Sequence, residues 1–381
     1  MTTETFLEEH EIVFPKLGWS FHIDPTAFTV FGFRIQWYGI IITLGLILAL
    51  CYVLPKMKRF GLDYDRAIDV IIFGVIGGII GARVYYVLMK WDEYKWDWKA
   101  IINTRNGGLA VYGGIIGAFL IGYIVARIRK VKVLPMMDIT VIGLLLGQGI
   151  GRWGNFINQE AFGVNTDSIL GMTGGTIQRT ISNNMQIGGD MYFNDVKVLW
   201  EDPVHPCFLY ESAWCLLGFV VLAFWSKRRK YDGQLFLMYL TWYGAERFIV
   251  EGLRTDSLML GNIRISQALS AVLFILSVIL QILLFVRRKR DPESMTLYVN
   301  TEESHQLIEE SRRKRMGMSK EDAKIDSDKE LDILNDDDDD FDMSELSILG
   351  DNDDDEDDNS SDEKQEADSS DEKSDDNKED K

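Results

Sequence analysis

The sequence is poor in cysteine and contains no paired-cysteine motif. Its three cysteines, Cys51, Cys207 and Cys215, are spread over 381 residues, and none of them forms a C-x-x-C pair. Neither a disulfide nor a cysteine-based metal site is therefore expected. The N-terminus also lacks the basic stretch and short apolar run that mark a cleaved signal peptide, so none is expected.

Basic and aromatic residues are scarce in the last quarter of the chain. The whole sequence has 59 acidic and 40 basic residues, but 36 acidic and only 11 basic residues lie from Asp291 onward. The aspartate-rich runs 336–340 and 351–358 cannot bury enough apolar surface to offset the entropy of ordering. We predict an apolar body, residues 1–290, and an acidic, disordered tail, residues 291–381. An acidic docking tail for a partner is the alternative.

The body contains seven apolar stretches, each near the roughly 20 residues needed to cross a bilayer. These stretches are 37–54, 67–89, 107–126, 136–157, 208–225, 233–250 and 265–286. Glycines spaced four residues apart, such as Gly113 and Gly117, allow helix backbones to approach closely in lipid. The sequence therefore predicts an all-α integral membrane protein with seven transmembrane helices, which form one membrane domain over residues 1–290.

Positive charge predicts the orientation of these helices. Basic clusters follow the first, third, fifth and seventh stretches, at 56–59, 127–132, 227–230 and 287–290. Loops rich in lysine and arginine remain in the cytoplasm. We therefore expect the N-terminus to lie outside the cell and the C-terminus to lie in the cytoplasm. The protein is then a multi-pass protein of the cytoplasmic membrane.

Polar side chains gather at one predicted depth, near the outer ends of the spans. Charged and polar groups are costly in lipid, so those inside spans are candidates for function. The group comprises Tyr38, Arg83, Asn106, Tyr112, Arg152, Asn155, Asn158, Glu160, His205, Tyr210, Glu211, Tyr243, Arg247, Glu251 and Arg254. The last four of these follow the spacing of a single helical stripe.

Several arginines at one depth repel one another unless an anion lies between them. The planar guanidinium suits a phosphate group, and a phosphate at the outer leaflet most simply belongs to a lipid. The alternative is a set of buried ion pairs in which Glu160, Glu211 and Glu251 neutralise the arginines.

Five segments resemble, in order, the signatures of bacterial phosphatidylglycerol–prolipoprotein diacylglyceryl transferases. The most specific is GRWGNFINQE at 151–160, and the others are WYG at 37–39, NGGLAVYGG at 106–114, HPCFLYE at 205–211 and YGAERFIVE at 243–251 with Arg254 following. The resemblance covers about residues 20–290. It implies seven spans, in agreement with the hydropathy, and a site that faces the extracytoplasmic side of a bacterial cell membrane.

The resemblance also implies a reaction, the first step of lipoprotein maturation. The diacylglyceryl group of phosphatidylglycerol moves to the thiol of a lipobox cysteine in a preprolipoprotein signal peptide, a thioether forms, and glycerol phosphate leaves. The expected partners are these two substrates and membrane lipid. No metal or nucleotide cofactor and no nucleic acid is implied.

Site roles follow from the same resemblance. The predicted catalytic residues are Tyr112, Arg152 and Arg247, of which the two arginines bind the phosphate. The predicted substrate-binding residues are Tyr38, Asn155, Asn158, Glu160, His205, Tyr243, Glu251 and Arg254. Within this set the asparagines donate to head-group oxygens, Glu160 orients an arginine or a glycerol hydroxyl, the tyrosines line the lipid pocket, and Glu251 and Arg254 form a supporting ion pair.

The group that accepts the thiol proton is open. Many family members have a histidine where this chain has Tyr112, and a phenol with a pKa near roughly 10 needs a nearby arginine to act as a base. His205 is an alternative, although its His-Pro sequence also suits a turn at the start of the fifth span. A phosphate oxygen of the lipid is the third option.

Two other functions fit parts of the pattern. A transporter or channel also carries charges within spans, but such sites tend to lie near the midplane between repeated halves, and no repeat is evident. A signalling module would use the acidic tail to recruit a cytoplasmic partner. The loop 159–204 is long enough to guide the substrate or gate the site, and passive connection is the alternative.

Overall fold

The computed structural model describes residues 6–104, 107–184, 192–193, 196–255, 259–260 and 263–317. Helices dominate this part of the chain. They are α1 (Trp37–Lys56), α2 (Tyr64–Met89), α3 (Trp91–Tyr94), α4 (Trp98–Ile102), α5 (Val111–Arg129), α6 (Val133–Asn158), α7 (Gly175–Asn184), α8 (Cys207–Ser226), α9 (Gln234–Leu253), α10 (Ile265–Arg290) and α11 (Glu302–Met316). The strands are β1 (Glu11–Phe14), β2 (Trp19–His22), β3 (Thr26–Val30), β4 (Phe33–Gln36), β5 (Thr173–Gly174), β6 (Tyr192–Phe193), β7 (Val196–Lys197), β8 (Met259–Leu260) and β9 (Ile263–Arg264).

Six of the described helices are long and apolar enough to cross a membrane, namely α1, α2, α5, α6, α8 and α10. This agrees with an all-α integral membrane protein. The predicted sixth stretch, 233–250, also forms a 20-residue helix, α9. That helix is more polar than the other six because it contains Glu246, Arg247 and Glu251, so the count of seven spans stays a prediction.

Glycines bring two helix pairs into backbone contact, as the small-residue spacing predicts. In the α2–α5 pair, a Cβ atom added to Gly117 would lie 2.3 Å from the carbonyl oxygen of Gly77. A Cβ atom on Gly81 would lie 2.4 Å from the carbonyl oxygen of Gly113. Helices α1 and α6 pack in a similar way, and a larger residue at any of these positions would push the helices apart.

The loop after α6 folds together with the N-terminal segment. Strand β1 pairs antiparallel with β2 and with β5, so the sheet has the order β2–β1–β5. A separate apolar core lies against this sheet and includes Ile12, Phe156, Met172, Val204 and Phe208, all buried. Most of the described loop is therefore a packed layer over the ends of α6 and α8.

The prediction that disorder begins at Asp291 is wrong for residues 293–316. Two short 3₁₀ turns, Glu293–Met295 and Tyr298–Asn300, precede α11. Thr301 caps this helix by accepting a hydrogen bond from the Ser304 amide, as a threonine at the N-cap does. The average composition of the tail hides this short foldable stretch, and its acidic runs lie outside the described residues.

The C-terminal segment docks on the end of the bundle opposite the polar side chains. The Tyr298 amide donates to Asp232 at 2.7 Å, and the Ser304 hydroxyl donates to the Gly61 carbonyl at 2.8 Å. Tyr298 is buried in the main apolar core with Phe60 and other residues at this end of the bundle. Residues up to 316 therefore belong to the folded body.

Candidate active site

The signature segment 151–160 forms the end of α6 and the turn that follows. Gln159 takes a left-handed conformation with φ of 52° and ends the helix, which turns the next residue back toward it. The Asn155 amide then donates to a carboxylate oxygen of Glu160 at 2.9 Å, and Asn158 donates to the same oxygen at 3.4 Å. Three of the predicted substrate-binding residues thus form one exposed, hydrogen-bonded group.

Tyr38 joins this group from the first turn of α1. Its ring packs against the backbone of Gly154, and a Cβ atom there would lie 2.5 Å from the ring. The tyrosine also interacts electrostatically with Glu160 and Arg152. The glycine in the signature is therefore required for the approach of Tyr38, which the sequence alone did not reveal.

A single carboxylate, Glu211, holds the arginines together. Its side chain is 1% exposed, and its two oxygens contact Arg152 Nη1 at 2.9 Å and Arg247 Nη1 at 3.0 Å. Arg254 Nη1 lies 3.6 Å from the second of these oxygens. Arg247 also pairs with Glu251 at 2.6 Å. Helices α6, α8 and α9 therefore meet at one cluster, which we call the arginine cluster.

The arginine cluster contains the ion pairs that the sequence offered as the alternative, but they do not exhaust its hydrogen-bonding capacity. Three guanidinium groups face the two carboxylates of Glu211 and Glu251, so these five side chains carry a net positive charge. A guanidinium has five N–H donors, and the ion pair of Arg152 uses only Nη1. The Arg152 side chain is 22% exposed and that of Arg247 is 18% exposed, so an anion can reach both.

The folded loop pairs with the segment that precedes α8 and with the end of α9, where Arg254 follows the helix. The Gly163 amide donates to the His205 carbonyl at 2.9 Å, and Gly163 forms a strand bridge with Arg254. A Cβ atom on Gly163 would lie 2.8 Å from His205 Cβ and 3.0 Å from the Cys207 sulfur. Only glycine fits here without displacement, so Gly163 belongs to the supporting structure of the site, a role that sequence reasoning missed.

His205 lies beside the arginine cluster but is engaged elsewhere. Its Nδ1 atom is 3.2 Å from the hydroxyl of Tyr210. Burial lowers the pKa of His205, so the ring stays neutral at pH values where an ordinary histidine begins to protonate. This histidine can accept a proton, but its lowered pKa makes it a weak base.

Tyr112 lies in the first turn of α5 and its side chain is more than a third exposed. Its hydroxyl lies 3.3 Å from the Ser266 hydroxyl at the start of α10. Within the described chain this is its hydrogen-bonding partner, and no direct bond to Arg152 or Arg247 is present. The neighbouring Arg264 donates to the Glu251 carbonyl, which connects the start of α10 with the arginine cluster.

The segment that leads to Tyr112 is held by Arg83, a buried arginine of α2. Its guanidinium donates to the carbonyl oxygens of Ala100 at 2.6 Å, Gly108 at 2.7 Å and Ile101 at 2.8 Å. This arginine is therefore occupied by backbone groups and positions the loop. Asn106, in the same predicted motif, lies outside the described residues.

Tyr243 lies one turn before Arg247 on α9, and its ring stacks on that of Tyr239 with centroids 5.8 Å apart. It interacts electrostatically with Arg247 and Arg152. The structure thus brings ten of the eleven predicted site residues to or beside the arginine cluster and the Glu160 group, while Tyr112 approaches from α5 through Ser266. Glu246, a buried carboxylate in the same region, had no predicted role, although an acid within an apolar stretch is itself a signal.

Apolar helices that surround a buried cluster of arginines and carboxylates are typical of a multi-pass membrane protein with a charged internal site. The chain belongs to the prolipoprotein diacylglyceryl transferase family, because the model of that family matches residues 25–283. This confirms the resemblance inferred from the five segments.

Three similar proteins are named phosphatidylglycerol–prolipoprotein diacylglyceryl transferase. One from Clostridioides difficile (strain 630) is 39% identical over 269 residues, which cover 71% of this chain and 98% of the relative. One from Finegoldia magna is 41% identical over 261 residues, covering 68% and 95%. One from Staphylococcus haemolyticus is 40% identical over 276 residues, covering 71% and 91%.

Proposed function

We propose that the protein transfers the diacylglyceryl group of phosphatidylglycerol to the lipobox cysteine of preprolipoproteins. The cysteine sulfur attacks the glyceryl carbon, a thioether forms, and glycerol phosphate leaves. Family membership and the names of the relatives support this reaction. The observation that carries it is the convergence of Arg152, Arg247 and Arg254 on Glu211, in which the ion pair of Arg152 uses only Nη1 and leaves its other N–H donors for a phosphate.

The site faces the extracytoplasmic side of a bacterial cytoplasmic membrane, and the membrane domain of residues 1–290 has seven spans. Two features support this topology. The charged side chains of α9 are directed into the protein, since Glu246 and Glu251 are buried, so the helix can cross lipid. The basic clusters lie at the end of the bundle away from the arginine cluster, where Arg229 donates to the Arg59 carbonyl at 2.6 Å. The N-terminus is then outside, and the acidic tail is cytoplasmic.

The reaction requires a thiolate, a lipid held with its glyceryl carbon toward the sulfur, and stabilisation of the leaving phosphate. Arg152 and Arg247 bind the phosphate through N–H groups that their ion pairs with Glu211 and Glu251 do not use. Charge-assisted hydrogen bonds of this kind are about twice as strong as neutral ones. They strengthen further as negative charge grows on the departing oxygen.

The remaining site residues orient the lipid and the arginines. Asn155, Asn158 and Glu160 form the exposed hydrogen-bonding group that receives the polar head. Glu251 and Arg254 hold Arg247 and Glu211 in place. In addition, Tyr38 and Tyr243 flank the arginine cluster with aromatic rings and line the lipid pocket.

Tyr112 is the proposed proton acceptor for the thiol, and it acts in its deprotonated form, whose oxygen takes the thiol proton and becomes the phenol hydroxyl. The Tyr112 side chain is exposed, and its hydrogen-bonding partner among the described residues is another hydroxyl, that of Ser266. His205 is the alternative, but its ring is bound to Tyr210 and its pKa is lowered by burial. A phosphate oxygen remains the third acceptor, and substitution of Tyr112 distinguishes these options.

The proposed reaction is tested by incubating purified protein with phosphatidylglycerol and a lipobox peptide. We expect the peptide mass to rise by one diacylglyceryl unit, and a peptide with serine in place of the cysteine serves as the control. Absence of any mass gain with correctly inserted protein, or equal modification of the serine peptide, would contradict the proposal.

A further inference from the structure

A buried carboxylate lies next to the arginine cluster and takes no part in its ion pairs. Glu246 of α9 is 4% exposed. Its two oxygens lie 3.9 and 3.8 Å from the sulfur of Cys215, which is its hydrogen-bonding partner among the described residues. A thiol is a weak donor, and a buried ionised carboxylate without strong donors is costly. Of the buried acids here, Glu246 therefore holds its charge at the greatest cost.

The charged neighbours of Glu246 come from three helices. Helix α8 contributes Glu211 and Cys215, α6 contributes Arg152, and α9 itself contributes Arg247 with the two tyrosines at 239 and 243. Helix α10 also packs against α9 but has no charged or titratable residue from 265 to 286. The charge state of this region is therefore set by the arginine cluster and Glu246 together.

With Glu246 ionised, the three arginines of the cluster are balanced by three carboxylates. At the exposed rim, Arg264 adds one positive charge and Glu160 adds one negative charge, and these two cancel. A phosphodiester that enters the site adds one negative charge, so the region then carries one negative charge in excess. An unbalanced charge in a buried site is strongly unfavourable, whereas uptake of one proton restores neutrality.

The ion pairs around the three carboxylates indicate which of them takes this proton. Glu211 is held by Nη1 atoms of Arg152 and Arg247 at 2.9 and 3.0 Å, and Glu251 by Arg247 at 2.6 Å. Protonation of either acid would break a direct ion pair with a buried arginine, which is costly. Among the described residues, Glu246 has the Cys215 thiol as its partner and no arginine this close, so its protonation breaks no ion pair of the described chain.

We propose that Glu246 takes up one proton from solvent when the lipid phosphate binds to the arginine cluster, and releases it when glycerol phosphate leaves. This inference rests on the proposed function. Glu246 acts as a positioning residue that balances charge, because it contacts no reacting atom. No bond to Glu246 other than its O–H bond forms or breaks.

The first test measures KM for phosphatidylglycerol in detergent micelles from pH 6 to pH 9. Because binding is coupled to uptake of one proton, KM of the unaltered protein should rise by up to about tenfold per pH unit once Glu246 is ionised in the free enzyme. Glu246→Gln mimics the protonated acid and should make KM independent of pH, with little change in kcat. Equal pH dependence of KM in both proteins, or none in the unaltered protein, overturns the inference.

The second test does not depend on the folding of a variant. Calorimetric binding of a short-chain phosphatidylglycerol is measured in buffers of different ionisation enthalpy, at a pH within the range where KM of the unaltered protein rises with pH. It should report uptake of about one proton by the unaltered protein. Zero uptake at that pH overturns the inference. Cys215→Ala keeps the carboxylate and should retain the uptake, and its loss there would assign the proton to the thiol and contradict the role of Glu246. Failure of all lipid transfer, by contrast, would contradict the proposed function itself.

Discussion

The two ends of the helix bundle use charge in different ways. At the end with the proposed site, three arginines share two buried carboxylates, and Glu211 and Glu251 are each 1% exposed. At the opposite end, α11 docks through more exposed ion pairs, such as Lys132 with Glu303 at 2.9 Å, whose side chains are about half exposed at 48% and 53%. The first arrangement concentrates positive charge away from water, and the second distributes balanced pairs over a surface.

The physical costs of the two arrangements also differ. Buried charges lose hydration, and removal of one partner leaves the other uncompensated. Exposed pairs contribute little, with a median near about 0–1 kcal/mol. The costly arrangement is present at one end of the bundle only, so we infer that it has a function there. Binding of an anionic ligand is that function. The docked C-terminal segment needs no such explanation, because Tyr298 and Ser304 hold it by apolar burial and hydrogen bonding.

Removal of an arginine from the cluster is expected to have the largest effect on lipid transfer. Arg152→Ala and Arg247→Ala should each lower the rate of lipid transfer by at least about 10²–10³-fold, the range for loss of one stabilising donor in a transition state. Mass measurement of the lipobox peptide reads the rate, and fluorescence-detected chromatography checks insertion. Arg315→Ala at the opposite end is the matched control and should transfer normally. Near-normal rates in both site variants would refute the phosphate assignment.

Removal of the shared carboxylate should mainly affect stability. Glu211→Gln leaves Arg152 and Arg247 without their common partner, and loss of one member of a buried charge pair costs about 3–5 kcal/mol. Thermal unfolding in detergent should show a large decrease in midpoint. Glu310→Gln at the opposite end also removes an ion pair, that with Arg66 at 3.1 Å, and should leave the midpoint almost unchanged. Equal midpoints for the two variants would mean that the ends do not differ as described.

Tyr112→Phe tests which group in the site accepts the thiol proton. If the phenol accepts the thiol proton, transfer should fall by about 10²-fold or more, as for loss of a general base, while the unfolding midpoint stays the same. Ser266→Ala removes the hydroxyl partner of Tyr112 and should have a smaller effect. Full turnover by the phenylalanine variant would exclude Tyr112 and leave His205 or the lipid phosphate as the acceptor.

The smallest effects are expected at the C-terminus. Deletion of residues 318–381 leaves α11 intact, so neither lipid transfer nor the unfolding midpoint should change. Deletion of residues 291–381 also removes Tyr298 and Ser304 and exposes Phe60, so the midpoint should fall while transfer persists. Loss of transfer in the shorter deletion would show that the acidic tail takes part in function.

Local patterns were enough for much of the fold. Each apolar stretch predicted a helix, and even the more polar stretch 233–250 is helical, because the local sequence keeps a hydrophobic face along α9. Glycine spacing predicted close packing, which the α2–α5 pair shows. The boundary at Asp291 was wrong because composition averaged over a long acidic segment conceals a short capped helix whose docking depends on distant residues such as Gly61 and Asp232.

The sequence by itself determined the membrane character, the helical class, the family and the set of polar residues from which a site can be built. These properties follow from hydropathy, charge and motif spacing along the chain. Only the tertiary structure decided that Glu211 is the common partner of the arginines, that Gly154 and Gly163 are required by close contacts, and that Glu246 is buried beside the cluster. Such pairings join helices separated by tens of residues, and their geometry depends on how those helices pack, which no local pattern specifies.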